Sequence, residues 1–306
     1  MLFPGDWVEV LSAAQILATL DMDSTLEALP FMPEMLAFCG LVFQVQVRAD
    51  RTCVRALPPG EPEPIRALRD CVVLAGLRCD GAAHGGCQLG CMFFWKERWL
   101  RKVEGPRPRL AGTPPPAASP VALSSSRGAD PAVFFCQGTD LGRATRRGHS
   151  KWNPVEYFHL VRAGTFTVPG VIRMLHHAGV RKVELLLLTR LPFLRAARNP
   201  APEPLGLRAG EWVEVKSMKE VLQTLDLHGC HKGLAFSNDM YGFCGQRLLV
   251  QSRVQTILAE ETGRVRTVQD TVILAGTTCR KYMGCARQMP LLWREAWLKR
   301  VDSPFP

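Results

Sequence analysis

Gly5-Asp6-Trp7-Val8-Glu9-Val10 returns 205 positions later as Gly210-Glu211-Trp212-Val213-Glu214-Val215. At the same offset Thr19-Leu20-Asp21 returns as Thr224-Leu225-Asp226, and Phe38-Cys39-Gly40 as Phe243-Cys244-Gly245. After a change in loop length, Asp70 to Gly76 and Cys79 match Asp270 to Gly276 and Cys279 at an offset of 200. Cys87, Trp95, Trp99-Leu100 and Val103 match Cys285, Trp293, Trp297-Leu298 and Val301 at 198. Self-similarity over such a length means one folding unit used twice, and 306 residues suffice for two domains.

Within each copy Trp7-Val8-Glu9-Val10 alternates as a half-buried strand does, and Ala13 to Leu20 carries an apolar helical face of Ile16, Leu17 and Leu20. Val42 to Val47 reads as a second alternating strand and Asp70 to Ala75 as a buried one. Trp95 and Trp99, repeated at Trp293 and Trp297, lie four apart on one face and belong in a core. The expected fold is mainly β with α, each copy a small β-barrel with helical decoration. The copies span 5–103 and 210–301. Between them lie a Pro/Ala/Ser-rich linker at 104–132 and a basic helical insert at 133–200, whose helices are expected from Asn153-Pro154, from Pro169 to Ala178 and from Val183 to Ala197.

Gly-x-Trp-Val-x-Val, a short helix, Glu34-Met35 or Asp239-Met240, Cys-Gly, paired strands and a final Trp-Leu-x-x-Val together resemble the SH3-like barrels of mind-bomb proteins. The resemblance implies tandem SH3-like small β-barrels. The two-copy layout also resembles a bacterial two-repeat, cysteine-rich family marked by Cys-Asp-Gly-x-Ala-His-Gly-Gly-Cys-Gln, present here as Cys79 to Gln88, and by Trp-Arg-Glu-x-Trp-Leu at Trp293 to Leu298. No activity comes with that resemblance.

No apolar run approaches the roughly 18 residues of a membrane-crossing helix. Met1-Leu2-Phe3-Pro4 lacks the regions of a secretory leader. The expectation is a cytoplasmic protein, in which 11 cysteines mean metal ligation, redox chemistry or burial rather than structural disulfides. Cys39, Cys79 and Cys87 recur as Cys244, Cys279 and Cys285. Copy one adds Cys53, His84 and Cys91, so that Cys79-x4-His84-x2-Cys87-x3-Cys91 surrounds Gly85-Gly86. Zinc takes four tetrahedral thiolate and imidazole ligands; Cys79, Cys87 and Cys91 with one of Cys39, Cys53 or His84 would close a structural site. An iron–sulfur cluster and buried or redox-active thiols are the alternatives. In copy two Met289 replaces Cys91, and a fourth ligand would be Cys230, His228, His231 or water. Three protein ligands plus water describe a catalytic zinc; a copy that has lost its metal is the simpler reading.

Adjacent His176-His177 point about 100° apart on a helix and do not readily share an ion. Glu34 and Asp239 could serve as a general base, or as the acceptor of a loop hydrogen bond. The net charge of +10 is concentrated in residues 104–209, with 15 basic and 6 acidic side chains, among them Arg143, Arg146, Arg147, Lys151, Arg181, Lys182, Arg195 and Arg198. Such a segment suits an anionic surface or phosphate backbone. P-loop, dinucleotide-binding, zincin and Gly-x-Ser-x-Gly motifs are absent. The sequence therefore points to a zinc-stabilised binding or scaffold protein with a protein partner. An enzyme or accessory subunit using metal or thiols in copy two is the competing expectation, and nucleic-acid binding through the insert a third.

Overall fold

A computed structural model of the chain describes its residues except 56–64, 107–122, 124, 127–129, 148–153, 163, 165–166, 173–174, 176–202, 227, 238, 280–283 and 303–306. It is mainly β-sheet. In the first copy the strands are β1 (Trp7–Val10), β2 (Val42–Arg48), β3 (Cys71–Leu74), β4 (Trp95–Lys96) and β5 (Leu100–Val103), in spatial order β4-β3-β2-β1-β5. In the second they are β6 (Trp212–Val215), β7 (Arg247–Ala259), β8 (Arg264–Thr278), β9 (Pro290–Arg294) and β10 (Leu298–Arg300), in the matching order β9-β8-β7-β6-β10. β1 and β6 bury every second residue, Val8 and Val10 in one and Val213 and Val215 in the other, because successive strand side chains face opposite ways.

The helices that follow these strands start alike. Ser12 caps Ala13–Leu17 with Gln15 reaching back to the Ser12 N–H at 3.1 Å, and Ser217 caps Met218–Leu222 with Glu220 reaching back at 3.0 Å. All four expected core tryptophans are fully buried. Trp99 donates its indole N–H to Thr19 Oγ1 and Trp297 donates to Thr224 Oγ1, both at 3.1 Å.

Closed barrels are not what forms. Both five-stranded sheets are open: among the described residues β4 pairs with β3 and β5 with β1, and no ladder joins β4 to β5. The chain leaves β4 through a single 3₁₀ turn, Glu97–Trp99, and enters β5 at once. β9 passes to β10 through Glu295–Trp297 in the same way. Strand alternation buries one face equally well in an open sheet and a closed one, so the pattern that predicts strands does not predict closure.

Two compact units divide the chain, and they do not follow the boundaries of the sequence copies. The first is Met1–Val171 with Thr256–Arg266 and Lys281–Gln288; the second is Ile172–Gln255 with Thr267–Arg280 and Met289–Pro306. Much of the expected linker and insert, including His176-His177, Lys151 and the stretch Val183 to Ala197, lies outside the described residues. The described part of the insert contains helix Gln137–Ala144, whose Leu141 is buried in the first unit's core, and strand Arg146–Arg147, paired with Ile65–Ala67. It also contains helix Pro154–Arg162, beginning at the expected proline. Among the described residues no helix is long and apolar enough to cross a membrane.

Candidate metal centre

The site is built by a loop that folds back on itself. After Arg78, which bridges Met92, the Cys79 N–H donates to the Cys91 carbonyl at 2.8 Å. The chain then turns at Gly81, whose carbonyl accepts both the His84 N–H (3.1 Å) and the Gly86 N–H (2.9 Å). Gly81 has φ +72°, and a Cβ there would collide with the Cys87 backbone. Only glycine serves both needs. The turn carries His84 back over Cys79 and leaves it 3% exposed.

Glu34 approaches from the first turn of the 3₁₀ helix Pro33–Phe38. Its Oε1 accepts the Ala83 N–H at 3.1 Å and lies 3.0 Å from His84 Nδ1. That second contact is an ion pair rather than an aligned hydrogen bond, since buried Nδ1 has no hydrogen bond of good geometry among the described residues. Nε2 of the same ring lies 3.7 Å from Cys79 Sγ, and Cys79 Sγ lies 3.9 Å from Glu34 Oε1. Among the described residues Glu34, Cys79 and His84 form the one group of three whose ligand atoms all fall within 4.8 Å of one another, and that group could hold a metal ion.

Electrostatics at the site favour positive charge. Burial alone would lower the His84 pKa, but contacts with Cys79, Cys87 and Glu34 push it up to about 12. Burial would raise Glu34, yet His84 and the nearby backbone N–H groups hold it below the usual carboxylate range. Cys87 behaves similarly: burial opposes ionisation, and His84 with the Leu89 and Leu258 N–H groups overcomes it. The Leu258 N–H reaches Cys87 Sγ at 3.3 Å.

Cys79, His84, Cys87 and Cys91 line one small cavity of about 30 Å³, together with Cys136, Glu260 and Arg287. Cys87 contacts His84 but stands outside the tight group of three. Other sequence candidates lie elsewhere. Cys39 is buried in the apolar core. Cys53 meets Cys285, whose Sγ accepts the Cys53 N–H at 3.2 Å. Cys244 and Cys279 pack against the second core, and Cys279 Sγ accepts the Met289 N–H at 3.1 Å. His231 Nδ1 lies 3.0 Å from the Thr224 carbonyl, and Cys230 Sγ donates weakly to the His228 carbonyl at 3.7 Å. No group of three ligands forms in the second copy among the described residues.

Sequence reasoning missed Cys136, Glu260 and Arg287. Cys136 ends the apolar run Val133-Phe134-Phe135, a sign of burial that its place at the start of an expected insert obscured. Glu260 and Arg287, 27 positions apart, carry no local signal. The chain matches no known protein-family profile, no curated protein and no solved structure.

Proposed function

We propose that the chain is a zinc-stabilised binding or scaffold protein, with the metal held in the first unit by Cys79, His84, Cys87 and Cys91 and with Glu34 orienting His84. The observation that carries this reading is the approach of Cys79 Sγ to His84 Nε2 at 3.7 Å. Zn–S bonds of about 2.3 Å and Zn–N bonds of about 2.0–2.1 Å, set at the tetrahedral angle, hold a sulfur and a ring nitrogen about 3.6 Å apart. Glu34 at Nδ1 fits the common arrangement in which a carboxylate fixes the ring of a ligating histidine. Four protein ligands would close the site, making the metal a clamp on a glycine-rich loop that has little apolar surface of its own. Strand order β4-β3-β2-β1-β5, with one 3₁₀ turn before β5, supports an SH3-like relationship for the sheets. A protein partner is the proposed ligand, and open sheets offer edges that another chain can extend.

Elemental analysis of untagged protein tests the metal. We expect about one zinc per chain and, after cobalt replacement, the absorption of a tetrahedral thiolate site. Cys79→Ser and His84→Gln should abolish both, whereas Cys244→Ser and Cys279→Ser should leave them intact. Metal-free protein, or zinc indifferent to Cys79 and His84, overturns the reading.

A further inference from the structure

We propose that Cys53 and Cys285 form a peroxide-oxidisable dithiol that closes to a disulfide, a site separate from the metal centre and independent of the zinc reading. Both residues belong to the first unit. Cys53 ends strand Arg51–Cys53, and three contacts tie that strand to residues 285–287. The Ala286 N–H donates to the Arg51 carbonyl at 2.9 Å, the Cys53 N–H donates to Cys285 Sγ at 3.2 Å, and Arg287 Nη1 donates to the Cys53 carbonyl at 3.4 Å. The two thiols also act on each other, each shifting the other's ionisation. No third metal ligand joins them within the described residues.

The surroundings divide the work between the sulfurs. Contact with Cys285 holds the Cys53 thiol below the ordinary thiol range against the effect of burial, with Arg287 and Arg55 adding positive charge. Cys285 is pushed up by the same contact and by burial. Arg287 is itself fixed by Glu260. Cys53 is half-buried and Cys285 is 4% exposed, so Cys53 is the sulfur that peroxide reaches. Low pKa and access mark the attacking sulfur.

The chemistry balances with hydrogen peroxide as oxidant. Cys53 thiolate attacks one peroxide oxygen; an S–O bond forms, the O–O bond breaks, and the departing hydroxide takes a proton to become water. The resulting sulfenic acid is then attacked by Cys285 sulfur. An S–S bond forms, the S–O bond breaks, and the second hydroxide leaves as water with the Cys285 proton. Two thiols are oxidised by two electrons and one peroxide is reduced to two waters.

The test treats the intact, metal-loaded protein with equimolar hydrogen peroxide, blocks remaining thiols with N-ethylmaleimide and maps the peptides by mass spectrometry. We expect two of the 11 thiols to disappear, joined as Cys53–Cys285, with bound metal unchanged. Cys285→Ser should stop at a Cys53 sulfenic acid that dimedone traps, and Cys53→Ser should leave Cys285 unoxidised. In the unoxidised protein, iodoacetamide labelling of Cys53 should show a midpoint below the ordinary thiol value of 9.0. Oxidation falling first on Cys79, Cys87 or Cys91 with Cys53 still open to alkylation overturns the proposal, as does the absence of the crosslinked peptide. Because the peptide map is made on the unmutated chain, misfolding of a variant does not spare the proposal.

Discussion

Trp293 donates its indole N–H to Thr277 Oγ1 at 3.0 Å, whereas the corresponding N–H of Trp95, equally buried, has no acceptor among the described residues. The difference is one residue: Leu77 occupies the first copy's equivalent of Thr277. A buried donor left unpaired costs about 1–3 kcal/mol. Thr277→Val should therefore destabilise the second unit by about that amount. In the first unit the informative pair is Leu77→Thr against Leu77→Val, which are similar in shape. The threonine variant should be the more stable by about 1 kcal/mol in chemical denaturation, and equal stabilities would show that Trp95 does not take the new acceptor.

Glu34 Oε1 lies 3.0 Å from His84 Nδ1 and 3.9 Å from Cys79 Sγ. Loss of such a carboxylate typically weakens metal binding about 10–100-fold. Glu34→Gln should lower zinc affinity in that range, read by competition with a chromophoric chelator, while leaving the ligand set of the cobalt-substituted protein unchanged. A changed charge-transfer spectrum would instead make Glu34 a ligand.

How much of this was legible in the sequence follows from the range of the interactions. β1 and β6 are local patterns, alternating valines with glycine ahead of them, and the capped helices after them are fixed by Ser12 with Gln15 and by Ser217 with Glu220. Cys79, His84 and Cys87 could be grouped because they share one short glycine-rich turn. Glu34 was recognisable as an acceptor of a loop hydrogen bond, and its Ala83 contact is of that kind. Cys53 and Cys285 lie 232 positions apart. Nothing local in either stretch specifies their meeting. Open sheets were equally hidden, since closure depends on edge pairing and not on which residues alternate.

Glu260 and Arg287 are both buried and form a two-armed ion pair, with Arg287 Nη1 donating to Glu260 Oε2 at 2.9 Å and Nη2 to Oε1. Removing one member of such a pair strands the other charge away from water, at a cost of about 3–5 kcal/mol. Glu260→Gln should approach that loss in urea denaturation. Replacing both with apolar residues of similar volume, Glu260→Leu with Arg287→Met, should recover most of it. A double variant as unstable as the single would mean that the pair holds more than its own charges.

Glu97 and Glu295 do the same work in the two copies, tying the chain ahead of the first strand to an arginine. Glu97 Oε1 accepts the Leu2 N–H at 3.0 Å and Arg48 Nη1 at 2.5 Å; Glu295 Oε1 accepts the Leu207 N–H at 2.9 Å and Arg253 Nη1 at 2.7 Å. Burial would raise the Glu97 pKa, but the Leu2 N–H and Arg48 hold it below its ordinary value of 4.5. The unfolded chain therefore takes up a proton at higher pH than the folded one. The stabilisation that Glu97 supplies is complete above the unfolded value and drains away as pH falls through the folded one. Glu97→Gln carries no such linkage. The stability of the unmutated protein relative to this variant should stay constant from pH 7 to about 5.5, then shrink below about 4.5, as read from thermal melts at fixed ionic strength. A difference that persists undiminished to pH 3 would show that Glu97 acts as a neutral hydrogen-bond acceptor and not through its charge.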